Sequence, residues 1–94
     1  MLERAESWDN ERTDVHNLMG FCYFKLKEHE KAIECFRNVL QLDPTSAIDY
    51  ANIASNYRDI GDKESAIRYY KFALELDPTI DFARENLRAL ELSS

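Results

Sequence analysis

Glycine, proline and cysteine are scarce in this chain of 94 residues, which contains two of each. Two glycines exclude a glycine-rich phosphate-binding loop. Two cysteines are too few for a disulfide framework and are typical of a reducing compartment, so we expect an intracellular, cytoplasmic protein. The longest nonpolar run, LMGFCYF at residues 18–24, is far shorter than the roughly 20 residues of a membrane span, and no signal-peptide pattern is visible.

A stripe of basic residues is also missing. The chain has 12 basic and 18 acidic residues, mixed along its length, for a net charge of −6. Because binding to nucleic acid depends on basic groups that neutralise phosphates, we expect no nucleic-acid partner. The hydrophobic fraction of 45% and the aromatic fraction of 12% are too high for a disordered tail. The composition therefore predicts one small folded domain.

Residues suited to catalysis do not converge. His16 and Cys22 are six positions apart on one predicted helix, roughly 240° around its axis, so they face different ways. His29 falls in a predicted turn and is expected to be solvated, whereas Cys22 and Cys35 resemble small helix-packing residues. No close pair of cysteines or histidines has zinc-ligand spacing. We therefore expect no enzymatic activity, no metal site and no cofactor.

The chain contains an internal repeat. LQLDPTS at residues 40–46 returns as LELDPTI at residues 74–80, 34 positions later. When residues 13–46 are shifted onto residues 47–80, nine positions are identical. A fixed period of this kind indicates one supersecondary unit used twice.

Each unit has the pattern of two helices. Apolar residues recur at intervals of three and four, which is helical rather than strand spacing, and they define one face on each helix. The positions that carry the pattern are His16, Met19, Gly20 and Tyr23, then Ala32, Ile33, Phe36, Val39 and Leu40, then Tyr50, Ile53, Ala54 and Tyr57, and then Ala66, Ile67, Tyr70, Ala73 and Leu74.

Small residues indicate where the paired helices come close. Gly20 and Ala54 are predicted to face the helices that bear Ala32 and Ala66, respectively. A larger side chain there would hold the helix axes beyond the usual separation of roughly 8–10 Å.

The repeated Asp-Pro pair predicts the end of each unit, because proline disfavours helix at the preceding residue. Thr45 or Ser46 is expected to cap the next helix, with Asp49 in its first turn to favour the exposed amides. Shorter turns inside the two units are predicted at residues 27–29 and 61–63.

This pattern resembles the tetratricopeptide repeat, which reads W-x2-L-G-x2-Y, then A-x3-F, then P within 34 residues. His16 and Tyr50 stand where tryptophan is usual. The resemblance implies an all-α fold, an α–α superhelix or solenoid of antiparallel helix pairs. The matching positions are Gly20, Tyr23, Ala32, Phe36 and Pro44 in the first unit and Tyr57, Ala66 and Pro78 in the second.

The resemblance extends past both ends of the two units, and it divides the chain into four parts. Trp8, in the first part, aligns with Leu42, so the chain is expected to come from a longer protein. In the last part, charged Arg84, Arg88 and Glu91 could not be buried cheaply under another helix, so this helix is expected to be terminal. The parts are a remnant of a preceding helix and linker at 1–12, repeat units at 13–46 and 47–80, and a capping helix at 81–94.

By the family's geometry, the first helices of the units line a concave groove. We therefore expect a protein–protein interaction module, an adaptor or scaffold that binds a peptide or a helix there. The groove residues implied by the resemblance are Asp14, Asn17, Leu18, Phe21, Phe24, Lys25, Ile48, Ala51, Asn52, Ser55, Arg58, Asp59, Phe82, Glu85, Asn86 and Ala89.

Two asparagines in this set are 34 positions apart, Asn52 and Asn86. An amide carries both a donor and an acceptor, so a ladder of asparagines can hold a peptide backbone whatever its side chains. The alternative is that asparagine is simply common at this position of the repeat. Leu18 interrupts the ladder in the first unit, while Lys25 and Arg58 are expected to select acidic side chains.

The first helix is apolar nearly all round. Leu18, Phe21 and Phe24 are not needed for packing within the pair, and an exposed apolar patch often marks a partner site. The alternative is that an upstream helix, or the N-terminal segment, covers these residues. Phe21, Phe24 and Phe82 are expected to supply apolar pockets for a ligand.

The acidic C-terminal tail of heat-shock chaperones is the best-known ligand of this family, held by a clamp of lysines, arginine and asparagines. The clamp positions fall on Asn17, Phe21, Asn52, Phe82 and Asn86, and Asn52 is the one match. Without a cationic pocket, a carboxylate has no partner. We therefore expect the ligand to be a different peptide.

A structural role is the alternative function. The repeats could act as a spacer within a larger assembly, or self-associate through an edge around Val15, Leu18 and Cys22. The chain is accordingly expected to be a monomer or a weak homodimer.

Overall fold

The computed structural model describes residues 16–93, which begin in a helix at residues 16–25, here α1. Each later helix packs against the next one along the chain, so the fold is the predicted all-α stack of antiparallel helix pairs. No helix within residues 16–93 is long and apolar enough to cross a membrane. The predicted remnant at residues 1–12 lies outside the described part. The later helices are α2 (His29–Leu42), α3 (Ala47–Ile60), α4 (Lys63–Leu76) and α5 (Asp81–Leu92).

Two apolar clusters form the core. Alanines dominate the cluster that α3, α4 and α5 share, which allows these helices to approach closely. Tyr57 and Tyr69 pack against both clusters, and their rings stack with centroids 5.4 Å apart. This stacked pair joins the two repeat units. The first cluster contains Ala32, Ile33, Phe36 and Ile53; the second contains Ala47, Ala51, Ala54, Ala66, Tyr70, Ala73, Ile80, Ala83 and Leu90.

The predicted close approach of Gly20 to the helix that bears Ala32 is confirmed, and the contacting group on that helix is the ring of Phe36. A Cβ atom at residue 20 would lie 2.7 Å from Cζ of Phe36, closer than real Cβ contacts. Phe36 is 1% exposed, so its ring has little space in which to withdraw. In the second unit, Ala54 and Ala66 are both fully buried in one cluster.

The Asp-Pro-Thr sequence folds in the same way after α2 and after α4. Oδ1 of Asp43 accepts hydrogen bonds from the backbone N–H of Thr45 at 3.2 Å and from its hydroxyl at 2.7 Å. Oδ1 of Asp77 accepts the equivalent bonds from Thr79 at 3.0 and 2.6 Å. The hydroxyl and N–H of Thr79 together lower the pKa of Asp77. This local network explains why three residues of the loop recur together.

The predicted positions of the cap and of Asp49 at the start of α3 are confirmed, but the expected side-chain bond to the helix amides is absent. Ser46 occupies the N-cap position but makes no side-chain bond to the helix amides; its hydroxyl donates to Oδ2 of Asp49 instead. Oδ1 of Asp49 accepts a second bond from the amide of Asn17 in α1. Asp49 is 1% exposed, and burial raises the pKa of its carboxyl although both hydrogen bonds lower it. Asp49 therefore links α1 to α3 rather than serving only the helix end.

The last helix, α5, packs against the second cluster through its apolar side. Ala83 and Leu90 are buried and Leu87 is half-buried, and all three contact the second cluster. Arg84 and Arg88 are exposed on the opposite side.

The inner turns of the two units share a left-handed residue. The structure begins α2 at His29 and α4 at Lys63, so each turn ends one residue earlier than predicted. Lys27 has φ 64° and Gly61 has φ 101°. In both turns the next N–H returns to a carbonyl five residues earlier, from residue 28 to 23 at 2.8 Å and from residue 62 to 57 at 2.9 Å. This is the Schellman arrangement, which favours glycine.

Exchanging the residue types at these turns should change stability in opposite directions. Lys27→Gly should raise the free energy of unfolding by about 1 kcal/mol, because a side chain at a left-handed residue is strained. Gly61→Ala should lower it by about the same amount. A Cβ at Gly61 would have no neighbour within 4 Å, so backbone strain alone is measured there. Urea unfolding followed by circular dichroism measures both changes. Changes of the same sign would contradict the left-handed conformation assigned to both residues.

Candidate functional site

The first helices of the successive pairs line a groove of about 310 Å³. Residues from α1, α3 and α5 reach it because positions four and seven residues apart share a helix face. Ile48, Asn52 and Ser55 follow that spacing on α3. The lining residues are Phe21, Phe24, Phe36, Ile48, Asn52, Ser55, Asn56, Arg58, Phe82 and Asn86.

Several residues expected in the groove lie elsewhere. Asn17 is half-buried and turns its amide to Asp49. Leu18 and Lys25 are exposed on α1, outside the lining. Ala51 is fully buried in the second cluster. Asp14 lies outside the described residues, and Asp59, Glu85 and Ala89 are exposed without lining the groove.

Aromatic rings form most of the apolar surface of the groove. Phe21 and Phe82 are partly open to solvent, at 44% and 37% exposure. Phe21 forms part of the groove wall and Phe36 part of its floor. Their rings meet edge-on with centroids 5.6 Å apart. Phe36 was expected only in the helix-pair packing. Its ring also reaches the groove because Gly20, opposite, has no side chain.

Four buried polar residues, Asp49, Asn52, Ser55 and Asn56, all lie on α3. Ser55 pairs with Tyr70, their hydroxyl oxygens 2.6 Å apart, and burial raises the pKa of Tyr70. The amide nitrogen of Asn52 differs from the others. Asn52 is 7% exposed, yet its Nδ2 has no hydrogen-bond partner among the described residues.

Asn56, one turn further along α3, has a hydrogen-bond partner at each end of its amide. Its Nδ2 donates to the backbone carbonyl of Asn52 at 2.8 Å, which fixes the amide orientation. Oδ1 must therefore accept, and it lies 2.9 Å from Nδ1 of His29, so that nitrogen carries a proton. The His29 ring also meets Phe24 edge-on at 5.8 Å. The expectation of a solvated His29 is wrong, because this ring joins α2 to the groove floor.

Spacing alone could have identified Asn56, since it follows Asn52 by four residues on the same helix face. No sequence signal pointed to His29, whose partner is 27 positions away.

Within residues 16–93, Arg58 is the charged side chain that lines the groove. Its Nε pairs with Oδ1 of Asp59 at 3.0 Å, and its Nη1 donates to Oδ1 of Asn86 at 2.7 Å. The neighbouring carboxylate thus offsets the charge of the guanidinium. Asn86 keeps its amide N–H groups and the second lone pair of its carbonyl oxygen for a ligand.

The described residues contain no group of three or more histidine, cysteine or acidic side chains that could hold a metal ion. Cys35 is buried, which raises the pKa of its thiol, but Cys22 is exposed rather than packed as expected.

Two stretches match family models described as tetratricopeptide repeat, at residues 13–46 and 50–80. No curated protein sequence matches the chain.

Solved structures with the same fold include the first TPR of Spaghetti (RPAP3) bound to the HSP90 peptide SRMEEVD. It is 23% identical, with a TM-score of 0.81 over 87% of this chain and 67% of that one. The TPR2B domain of yeast Sti1, in its pHsp70 complex, is 20% identical, with a TM-score of 0.82 over 88% of this chain and 66% of its own.

The crystal structure of MamA is 18% identical, with a TM-score of 0.80 over 86% of this chain and 47% of its own. The chain thus spans about two thirds of the length of the first two structures and less than half of the third. The two family-model matches together cover more than half of the sequence, and the chain belongs to the tetratricopeptide-repeat family.

Proposed function

We propose that this chain is a non-catalytic interaction module that binds a peptide segment of a partner protein in the groove between α1, α3 and α5. The family commonly mediates protein–protein interaction, and two of the similar structures are complexes, one of them with a peptide. The expected site residues that line the groove are Phe21, Phe24, Ile48, Asn52, Ser55, Arg58, Phe82 and Asn86.

The amide nitrogen of Asn52 carries this proposal. A buried N–H group without a partner costs about 1–3 kcal/mol relative to a paired one. The other buried polar side chains of α3 all have partners, so poor packing of the helix as a whole does not account for the exception. A ligand carbonyl in the groove would pair with this amide once the side chain turns toward it.

The ligand differs in chemistry from an acidic chaperone tail. Phe21 and Phe82 occupy clamp positions that would need an asparagine and a lysine, and Asn86 occupies the position of the arginine. Arg58, the one charged residue in the lining that the described residues provide, is already paired with Asp59. A peptide with apolar side chains suits this groove better than one with several carboxylates.

Replacing each of two neighbouring asparagines should change the free energy of unfolding in opposite directions. Asn52→Leu should raise the free energy of unfolding by about 1 kcal/mol, because it removes an unpaired buried amide. Asn56→Leu should lower it by about 1–3 kcal/mol, because it leaves His29 without its acceptor. The two residues lie one turn apart and both are buried, so each serves as the other's control. Chemical unfolding measures both changes; destabilisation by both would mean that Asn52 is an ordinary structural residue.

A displayed library of random peptides tests the function itself. We expect the native chain to enrich a set of related peptides and Phe21→Glu to lose them, because a carboxylate would enter the apolar wall. Phe72→Glu is the matched control: Phe72 is 43% exposed, like Phe21, but lies on α4 outside the groove lining.

Sedimentation of all three proteins should accompany this selection, so that self-association through exposed Leu18 is not mistaken for loss of ligand. Equal enrichment by the native chain and Phe21→Glu would move the binding site away from the groove. If the native chain enriches no peptide, the structural role becomes the better account.

A further inference from the structure

The second repeat unit shows how one helix pair covers the first helix of the next pair. Ile53 of α3 is fully buried, and it belongs to the same cluster as Ile33 and Phe36 of α2. The residue 34 positions before Ile53 is Met19 of α1, which is 39% exposed. The described part of the chain thus leaves open on α1 an apolar position that is covered on α3.

Met19 borders a cleft that is separate from the groove. Residues of α1 and α2 line this cleft, here called the N-terminal cleft, which has a volume of about 240 Å³. None of its lining residues also lines the groove. The lining residues are His16, Met19, Tyr23, Lys31, Glu34, Cys35 and Asn38.

One polar atom in the N-terminal cleft lacks a partner. Nδ1 of His16 is buried, and no described residue bonds it. The aligned residue of the second unit, Tyr50, is paired, because its hydroxyl donates to the backbone carbonyl of Pro44 at 3.2 Å. Asn10 stands 34 positions before Pro44, and it has a backbone carbonyl whatever its side chain. By the register of the repeat, the partner of His16 therefore belongs to the segment that precedes α1.

That segment has the sequence pattern of a covering helix. Residues 1–8 align with the last two turns of α2, and each second helix carries a large apolar residue, a smaller one and then an aspartate at the same spacing. In α2 and in α4 the two apolar residues are buried, so these positions form the packing face. The aligned sets are Leu2, Ala5 and Asp9; Phe36, Val39 and Asp43; and Tyr70, Ala73 and Asp77.

We propose that residues 1–8 form a short helix that docks in the N-terminal cleft, with Leu2 and Ala5 against Met19, and closes this end of the stack. The connection has the required length, since Asp9 precedes Met19 by ten positions. The same number separates Asp43 from Ile53 in the second unit. The docked segment would cover apolar surface that is otherwise open to water. This contact is distinct from the proposed peptide site, because the cleft and the groove share no residue.

Hydrogen exchange of the backbone amides in the full chain, followed by NMR, tests the docking. In a helix over residues 1–8, the N–H groups of residues 5–8 would bond the carbonyls of residues 1–4. A helix this short is not stable in water by itself, so slow exchange there requires packing against the stack. We expect these amides to exchange at least about tenfold more slowly than in an unstructured peptide. Exchange at the unstructured rate in the native chain would overturn the proposal.

Two variants on the stack locate the contact. Met19→Glu should bring residues 5–8 to the unstructured rate, because a carboxylate would have to be buried under Leu2. Leu26→Glu is the matched control, since Leu26 is exposed and the aligned Ile60 is exposed as well, although α2 packs beside α3. Slow exchange within α3 and α4 verifies that each variant is folded. Equal exchange of residues 5–8 in the two variants would contradict the assigned contact.

A second pair of variants leaves the stack itself unchanged. Leu2→Gln should release the segment, because it removes the larger apolar group from the packing face. Ser7→Gln should not, since it introduces the residue that α2 carries at the aligned and exposed position, Gln41. Release by both variants, or by neither, would overturn the proposal.

A second copy of the chain is the other occupant that the test can reveal. Sedimentation over the concentration range of the exchange measurement shows whether dimers are present. Protection of residues 5–8 that is independent of concentration supports docking within one chain. Protection that appears only where dimers form would overturn it and make the cleft an interface between copies. Neither result alters the peptide-library test, which probes the groove.

Discussion

The ring of Phe36 occupies the space that a side chain at residue 20 would fill. Its three outermost carbons lie 2.7–2.9 Å from the position of a Cβ atom on Gly20, so α1 and α2 can approach only while that residue is glycine. The same ring contacts Phe21 and belongs to a cluster with Ile53 of α3. One buried side chain therefore fixes the first helix pair, joins it to the second and forms part of the groove floor.

Polar contacts connect the two repeat units in addition to the apolar clusters. Asp49 receives the amide of Asn17, and Asn56 receives the ring N–H of His29, so α3 is bonded to both helices of the preceding pair. Such bonds are directional, and buried polar groups left without them are costly. They therefore define the register between the units more sharply than alanine packing can. Asn52 is the exception on this helix, because its Nδ2 is buried without a hydrogen-bond partner among the described residues.

Periodicity in the sequence predicted much of this architecture. Apolar residues at three- and four-residue intervals identified the helices, and the repeated Asp-Pro-Thr marked their ends, because both signals act within a few residues. The groove residues Phe21, Asn52 and Phe82 followed from the family's geometry. Whether they bind a ligand stays a prediction.

Side-chain partners distant in the sequence could not be predicted in the same way. Asn17 was placed in the groove, but its amide bonds Asp49, 32 positions away. Asn17 and Asn52 are equally polar and both lie on first helices. Their difference depends on whether a buried acceptor happens to face them, and that is a property of the packed helices. The same limit applies to His29, whose expected exposure rested on its place in a turn.

The two kinds of polar residue place opposite demands on α3. A buried group that has its partner adds to stability, and substitution by an apolar residue is then unfavourable. A buried group held open for a ligand lowers the stability of the free protein, and binding restores the missing interaction. Asn56 has its partners, whereas Asn52, one helical turn away, has the unpaired amide that the proposed function assigns to a ligand. Nδ2 of Asn56 donates to the backbone carbonyl of Asn52. Asn56, which has its partners, is therefore bonded to the helix backbone at Asn52, whose side-chain nitrogen has none among the described residues. On the proposed function, the floor of the groove would therefore be ordered before a ligand binds, which would reduce the entropy lost on binding.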